Sequence, residues 1–526
     1  MATPRERFVE ALQFLHDLQQ KGIVGIHTDD MPNRKYREIL SKNGFIREVT
    51  KGWYIAINPE EKDGETTAWY SSYWDFVAVF LERRYGNNWS LSADQSLLLY
   101  AGNHVVPQQL LVRSPQGNNN PTPLPHKTSL FNIRGELPQQ GQLMVTGNGL
   151  RMYSLQAALI YCSPTIYTRN AIDVRTTLSL IRDASELLPI LLENGHTTLA
   201  GRLAGAFRNI SRDKTADQIV DTFKKADYDI REDDPFESKL DLELSVRERS
   251  PYANRIRLMW VQMRQVIIAS FPASPGIPDN HQVYLKNIDD IYITDAYHSL
   301  SIERYRVTPE LIAKVSSGEW DANENEEDRK QRDAMAARGY YQAFQSVKES
   351  IKAILLGKNA GMQADIDHSK WYRELFDPSV TAGILKPADL AGYRNHQVYI
   401  GNSKHVPLNV DAMRDAMPVL FELMQEEPEA SVRAVLGHFI FVFIHPYMDG
   451  NGRIGRFLMN TMLASGGYPW TVIPVESRDE YMQSLEKASV EQNIEPFANF
   501  LASLVNEGMR GRAVATLPDT GLMINK

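Results

Sequence analysis

The run His445-Pro446-Tyr447-Met448-Asp449-Gly450-Asn451-Gly452-Arg453-Ile454-Gly455-Arg456 constrains this chain more than any other part of it. The apolar stretch Val435 to Ile444 precedes it and a second helical pattern follows, so the run must join two helices through a short, glycine-bearing loop. His445 stands between the apolar stretch and a proline, at a helix end, where a neutral imidazole can accept a proton from an attacking hydroxyl. Asp449 falls in the loop, where a hard carboxylate suits a magnesium ion that also binds phosphate oxygens. Gly450 and Gly452 lack side chains, which lets the backbone N–H groups around Asn451 approach phosphate oxygens at a helix N-terminus. Arg453 and Arg456 share one face of the following helix, and Ile454, Phe457, Leu458, Thr461 and Met462 are its expected core face. Gly466-Gly467 tolerates the left-handed cap that ends it. One histidine beside an apolar run is usually structural, and one Gly-Asn-Gly is usually a turn. The coincidence of these residue types, in this order, reads as a nucleotide phosphate site.

The stretch His445 to Arg453 resembles the signature of the Fic family, His-Pro-aromatic-x-[Asp/Glu]-Gly-Asn-Gly-Arg, without a departure, and Arg456 matches the second arginine often found there. The resemblance implies a protein adenylyltransferase, moving AMP from ATP to a Ser, Thr or Tyr hydroxyl of a target protein. It implies His445 as catalytic base and Asp449 as the Mg2+ ligand. It places Gly450, Asn451 and Gly452 in an anion hole, with Arg453 and Arg456 on the β- and γ-phosphates. Relatives that transfer phosphate typically carry lysine where this chain has Gly452, so the intact Gly-Asn-Gly-Arg favours AMP transfer.

Upstream segments extend the likeness. Gly392-Tyr393-Arg394, Gln397-Val398-Tyr399-Ile400, Gly401-Asn402-Ser403 and Lys404-His405-Val406-Pro407 read as two short strands around a turn. They resemble the Fic flap, which in that family pairs with an extended segment of the target, so Val398, Tyr399, Ile400 and Gly401 are the expected docking residues. Any surface hairpin has the same pattern. Ser299-Leu300-Ser301-Ile302-Glu303-Arg304 resembles the family's inhibitory helix, [Ser/Thr]-x-x-x-Glu-[Gly/Asn]. Ser299 and Glu303 match it, implying a Glu303–Arg456 pair that keeps the γ-phosphate from seating. Arg304 departs from the Gly or Asn that supplies a left-handed cap. Thr308-Pro309-Glu310 is a good start for a new helix, so the chain is expected to break between Glu303 and Thr308.

At 526 residues, length implies about three or four domains. A hydrophobic content of 43% with mixed charge is that of a globular protein, and a net charge of −8 argues against bulk nucleic-acid binding. The single cysteine, Cys162, permits no internal disulfide and is expected as a buried filler. With no charged-then-apolar leader and no apolar run near the ~18 residues of a membrane helix, no membrane contact and a cytoplasmic location are expected.

Residues 1–60 resemble a winged helix, more specifically that of abortive-infection-type antitoxins, which are transcriptional autoregulators. Phe8, Leu12 and Leu15 have helical spacing, Arg34 to Leu40 forms a short basic helix, and Gly44-Phe45-Ile46 and Trp53-Tyr54-Ile55-Ala56 flank a turn at Lys51-Gly52. From Arg34 to Trp53, the cations Arg34, Lys35, Arg37, Lys42, Arg47 and Lys51 outnumber Glu38 and Glu48 by four. That excess suits DNA phosphates, although winged helices are also protein-contact modules and surface cations are often only solvated. Residues 61–270 read as a mixed or helical middle region. Within it Ser114 to His126 is a surface loop, and Leu178, Ile181, Leu187 and Leu191 mark helices. Phe271 to Pro278 is the best linker, placing a Fic-like region at 281–510 with its inhibitory helix near 286–304 and a tail at 511–526. Trp320 to Asp333 reads as a solvated stretch leading into a helix.

The expected fold is multidomain and mainly α, with an all-helical C-terminal region bearing a hairpin flap and an α+β N-terminal module. Two other functions stay open: a DNA-binding regulator whose Fic domain senses nucleotide, and removal of AMP from a modified protein. Homo-oligomerisation stays open as well.

Overall fold

Thr3 and Asn33 start the two N-terminal α-helices. Thr3 Oγ1 accepts from the Glu6 N–H (3.2 Å) while Glu6 Oε2 accepts from the Thr3 N–H (2.7 Å), a capping box on helix Pro4–Gln20. Asn33 Oδ1 accepts from the Tyr36 N–H at the start of helix Arg34–Lys42. The structure is a computed structural model that describes residues 3–60, 65–193, 195–239, 250–317 and 332–518. Its contacts divide the chain into a first unit, Met1–Arg255 with Tyr399–Val406, and a second, Ile256–Val398 with Pro407–Lys526.

In the first unit, strands β1 (Ile26–His27), β2 (Ile46–Thr50) and β3 (Trp53–Ala56) pair antiparallel in the order β1-β3-β2. Gly52 takes φ 79° in the β2–β3 turn, where the strand–turn–strand was expected. Ala11, Leu15, Ile26, Leu40, Ile46 and Tyr54 close a core over this sheet. A second sheet has the order β4 (Ser90–Leu91), β5 (Gln109–Ser114), β7 (Thr128–Arg134), β6 (Pro121–Leu124), with β5 parallel to β7. Helix Thr67–Tyr85 buries Trp69, Tyr73 and Phe76 in one cluster with Leu110, Val112 and Leu130 of that sheet. Strand β6 corrects the loop expected from Ser114 to His126. Proline cannot donate to a ladder, and at the sheet edge a strand needs donors on one side only, so Pro121 and Pro123 fit there. Leu178, Ile181, Leu187 and Leu191 are fully buried among the helices that follow, and Cys162 is buried.

The expected flap strands are absent. Residues 397–407 form a loop whose turn puts Asn402 at φ 62° and brings the Ser403 N–H to the Ile400 carbonyl (3.2 Å). Gln397 Nε2 reaches the Pro407 carbonyl (2.7 Å), while the Lys404 carbonyl accepts from the Val106 N–H (3.4 Å) within the first unit. Val398, Tyr399 and Ile400 have strand propensity, but propensity without a backbone ladder makes no sheet.

The regular elements of the second unit are all helices among its described residues. The linker expected at Phe271 to Pro278 lies inside it. Ser274 Oγ and the Gly276 N–H both donate to the Gly466 carbonyl (2.7 and 3.0 Å), and Tyr468 Oη donates to the Pro272 carbonyl (2.7 Å). Within the second unit, Arg264 of helix Pro251–Ser270 donates from its Nε and Nη2 to the two Glu427 oxygens (2.8 and 2.9 Å). Proline and glycine density marks irregular backbone, and here that backbone is packed. The stretch from Trp320 falls outside the described residues as far as 331, and the helix expected near Asp333 begins at Arg332. No helix among the described residues is long and apolar enough to cross a membrane.

Candidate active site

His445 ends helix Ala430–Ile444 in the left-handed region, φ 57° and ψ 61°. That conformation costs a non-glycine residue about 1–2 kcal/mol and persists only where neighbours over-determine it. Arg394 is such a neighbour. Its backbone N–H donates to the Pro446 carbonyl (2.9 Å), its Nε to the His445 carbonyl (2.7 Å) and its Nη1 to the His396 carbonyl (2.9 Å). The half-buried imidazole places Nδ1 3.2 Å from the Val442 carbonyl, which only accepts, so Nδ1 carries the hydrogen and Nε2 the lone pair. Burial pushes the His445 pKa down from 6.5 to about 4, against the pull of the Val442 carbonyl and with help from Arg394. The ring is therefore neutral through the physiological range and stays a proton acceptor until the pH falls toward 4. A pH–rate profile is expected to show no acid limb from His445 between about pH 6 and 8. A limb centred near the ordinary value of 6.5 would overturn that environment.

The loop after His445 is held by its own asparagine. Asn451 Oδ1 accepts from the Tyr447 N–H (2.9 Å) and Nδ2 donates to the Tyr447 carbonyl (2.8 Å), and Tyr447 stacks on Tyr372 at 3.8 Å. With the Asn451 side chain engaged this way, anion contact is left to the backbone. Gly450 (φ 79°) caps helix Asn451–Ala464, whose first N–H groups have no partner within the helix and form its positive end. The expected core face, Ile454, Phe457, Leu458, Thr461 and Met462, is fully buried, and Gly467 takes φ 75° beyond the helix end. Asp449 is exposed. Its Oδ1 accepts from the Gly450 N–H (2.6 Å), and Oδ2 lies 3.6 Å from Arg453 Nη2. No group of three or more His, Cys, Asp or Glu that could hold a metal occurs among the described residues.

Arg456 is buried and points at helix His281–Ile302, which begins before residue 286, where the expected span started, and ends two residues short of 304. Its Nε donates to Ser299 Oγ (2.8 Å), and its Nη2 donates to the Ser299 carbonyl (3.0 Å) and to Glu303 Oε1 (2.8 Å). A Cβ added at Gly452 would come within 2.4 Å of the same Glu303 oxygen, so the carboxylate lies against the first turn of the motif helix. Burial raises the Glu303 pKa, but Arg456, Arg453 and Arg478 outweigh it and hold it below the ordinary carboxylate value. A lowered pKa means the pair is fully present at neutral pH and is lost only on strong acidification.

The departure at Arg304 does not prevent a left-handed cap. Arg304 takes φ 66°, its N–H donates to the Ser301 carbonyl (2.9 Å), and the Tyr305 N–H donates to the Leu300 carbonyl (3.1 Å), a Schellman cap made without glycine. Thr308 Oγ1 accepts from the Leu311 N–H at the start of helix Pro309–Ser317, so the break falls where expected. That cap turns Tyr305 toward Arg453, whose guanidinium lies 5.2 Å from the Tyr305 ring and 5.0 Å from the Phe376 ring. Sequence reading missed Tyr305 and Phe376 altogether and quoted Arg394 only as part of the flap. Their partners are ring faces and backbone carbonyls, which leave no mark on residue spacing. Tyr399, one of the residues expected to dock a target, is exposed on the loop of residues 397–407. In the basic N-terminal segment Arg34 is paired with Glu38 (2.7 Å), while Lys35, Lys42 and Lys51 are exposed.

Residues 368–463, which contain the whole motif, match the model of the Fic/DOC family. The chain is 37% identical over 124 residues to Protein adenylyltransferase Fic of Drosophila willistoni, covering 23% of this chain and 24% of that protein. The same-named protein of Drosophila mojavensis is 36% identical over the same shares. The chain thus matches about a quarter of the length of these curated relatives. Among solved structures, Fic-1 (residues 134–508) from C. elegans aligns over 62% of this chain and 92% of its own, at 18% identity and a TM-score of 0.36. A Fic domain-containing signalling protein from Bacteroides thetaiotaomicron aligns over 49% of this chain and all of its own, at 19% identity and a TM-score of 0.31. Ser299, Glu303 and Tyr305 lie outside the segment matched by the family model.

Proposed function

We propose that this chain, which carries a Fic/DOC-family domain at residues 368–463, transfers AMP from ATP to a hydroxyl of a target protein. The observation that carries this reading is the placement of a neutral, lone-pair-bearing His445 Nε2 at one end of the loop whose other end is a helix N-terminus flanked by two buried arginines. His445 takes the proton of the target hydroxyl, the oxygen forms a bond to the α-phosphorus, and the bond between that phosphorus and the α–β bridging oxygen breaks, releasing pyrophosphate. The N–H groups of the first turn of helix Asn451–Ala464 receive phosphate oxygens, and Arg453 and Arg456 offset charge on the departing pyrophosphate. Asp449, an exposed carboxylate in the loop, would hold a magnesium ion. When bound, the ion neutralises phosphate charge.

The intact Gly452 and the Glu303 carboxylate against it favour a form that is restrained as folded, because Arg456 already has an anionic partner. The reading is tested with ATP labelled at the α- or the γ-phosphate, using the Glu303→Gly protein with magnesium and a cell lysate as target. Protein-bound label is expected from the α-labelled donor alone. Label from the γ-position would make the reaction phosphate transfer, and label from neither, with ATP still bound, would remove transfer altogether.

A further inference from the structure

Arg453 is 1% exposed, and its Nε has no hydrogen-bond partner among the described residues. Its nearest carboxylate, Asp449, stands 3.6 Å away, and its other close neighbours are the Tyr305 and Phe376 rings. A ring face stabilises a guanidinium without using its in-plane N–H groups, so a cation held this way keeps its donors for another acceptor. A buried donor without an acceptor is costly, and this one adjoins the helix N-terminus that Asn451 begins. Phe376 is fixed against the same loop, since a Cβ added at Gly450 would lie 3.0 Å from its Cε2. Tyr305 is fixed from the other direction by the cap bond to the Leu300 carbonyl, and Arg332 lies 5.1 Å from the same ring.

We propose that Tyr305 and Phe376 are positioning residues for Arg453, holding its guanidinium so that its free N–H groups take a nucleotide phosphate. The proposal rests on the reading of Arg453 as a phosphate contact. It gives the end of helix His281–Ile302 two opposed tasks: Glu303 occupies a donor of Arg456, and Tyr305, two residues on, prepares Arg453. Disrupting the whole cap is therefore not equivalent to removing the Glu303 carboxylate.

The test uses the full chain with Glu303→Gly as the parent and measures ATP affinity by calorimetry in the presence of magnesium, together with the KM and kcat of α-label incorporation. Tyr305→Leu and Phe376→Leu keep apolar bulk but remove the ring face. Each is expected to weaken ATP binding and raise KM by about tenfold, with a smaller change in kcat, and Tyr305→Phe is expected to restore the affinity that leucine loses. Unchanged ATP affinity in both leucine variants would overturn the proposal, and so would a rise in labelling from Tyr305→Leu, which would make Tyr305 a second lock. Because affinity is read without turnover, weaker binding in the leucine variants of a protein that labels nothing would sink AMP transfer and leave the positioning role standing.

Discussion

Glu303→Gly is expected to raise the initial rate of AMP incorporation by about 10- to 100-fold over the parent, the value of one charge-assisted hydrogen bond, about 1.5–3 kcal/mol. The bond in question runs from Arg456 Nη2 to Glu303 Oε1 (2.8 Å), between side chains that are 5% and 29% exposed, so solvent screens it weakly. Removing the carboxylate leaves Arg456 in place, because Ser299 still accepts from its Nε and Nη2. It also clears the oxygen that a Gly452 Cβ would meet at 2.4 Å, opening the first turn of the motif helix to a phosphate. Glycine suits the position, where the helix cap already has φ −82° and ψ 9°. Glu303→Gln keeps the shape without the charge and is expected to fall between the two. A Glu303→Gly protein that labels no faster than the parent would show that the pair is structural and restrains nothing.

His445→Ala is expected to lower kcat for AMP transfer by about 10²- to 10⁴-fold, the usual contribution of a positioned general base, while ATP affinity changes by no more than about threefold. The split follows from geometry: the imidazole engages the Val442 carbonyl through Nδ1, which leaves Nε2 for the proposed role of base, while phosphate contact is assigned to the loop N–H groups and the arginines. Alanine is less at ease than asparagine at φ 57°, so His445→Asn serves as the companion variant that keeps the left-handed helix end. If both variants label within about tenfold of the parent, the base is another residue. Measured together, ATP affinity and rate separate loss of the base from collapse of the loop.

The local structure of the motif was legible because its helix ends and turn are set by neighbouring residues. Helix end, loop, glycines and arginines lie within twelve consecutive positions, and helical spacing alone puts Arg453 and Arg456 on one side of their helix. The pairing of Glu303 with Arg456 was expected only through a family resemblance, because nothing in the spacing of residues so far apart requires contact. Other expectations failed where local signals compete with packing. Proline density hid strand β6, a proline-rich linker proved to be pinned to Gly466, and the strand-prone flap residues formed a loop because no ladder was available to them.

The sequence by itself determined the chemistry available at residues 445–456 and the helix boundaries around it, since caps, glycines and periodicity act over a few residues. Tertiary structure alone decided that Arg394 fixes the His445 carbonyl, that Arg304 closes a left-handed cap without glycine, and that Tyr305 and Phe376 receive Arg453. Those contacts join segments distant in the chain through carbonyl groups and ring faces, which every sequence has in abundance, and only the packed fold selects which of them meet.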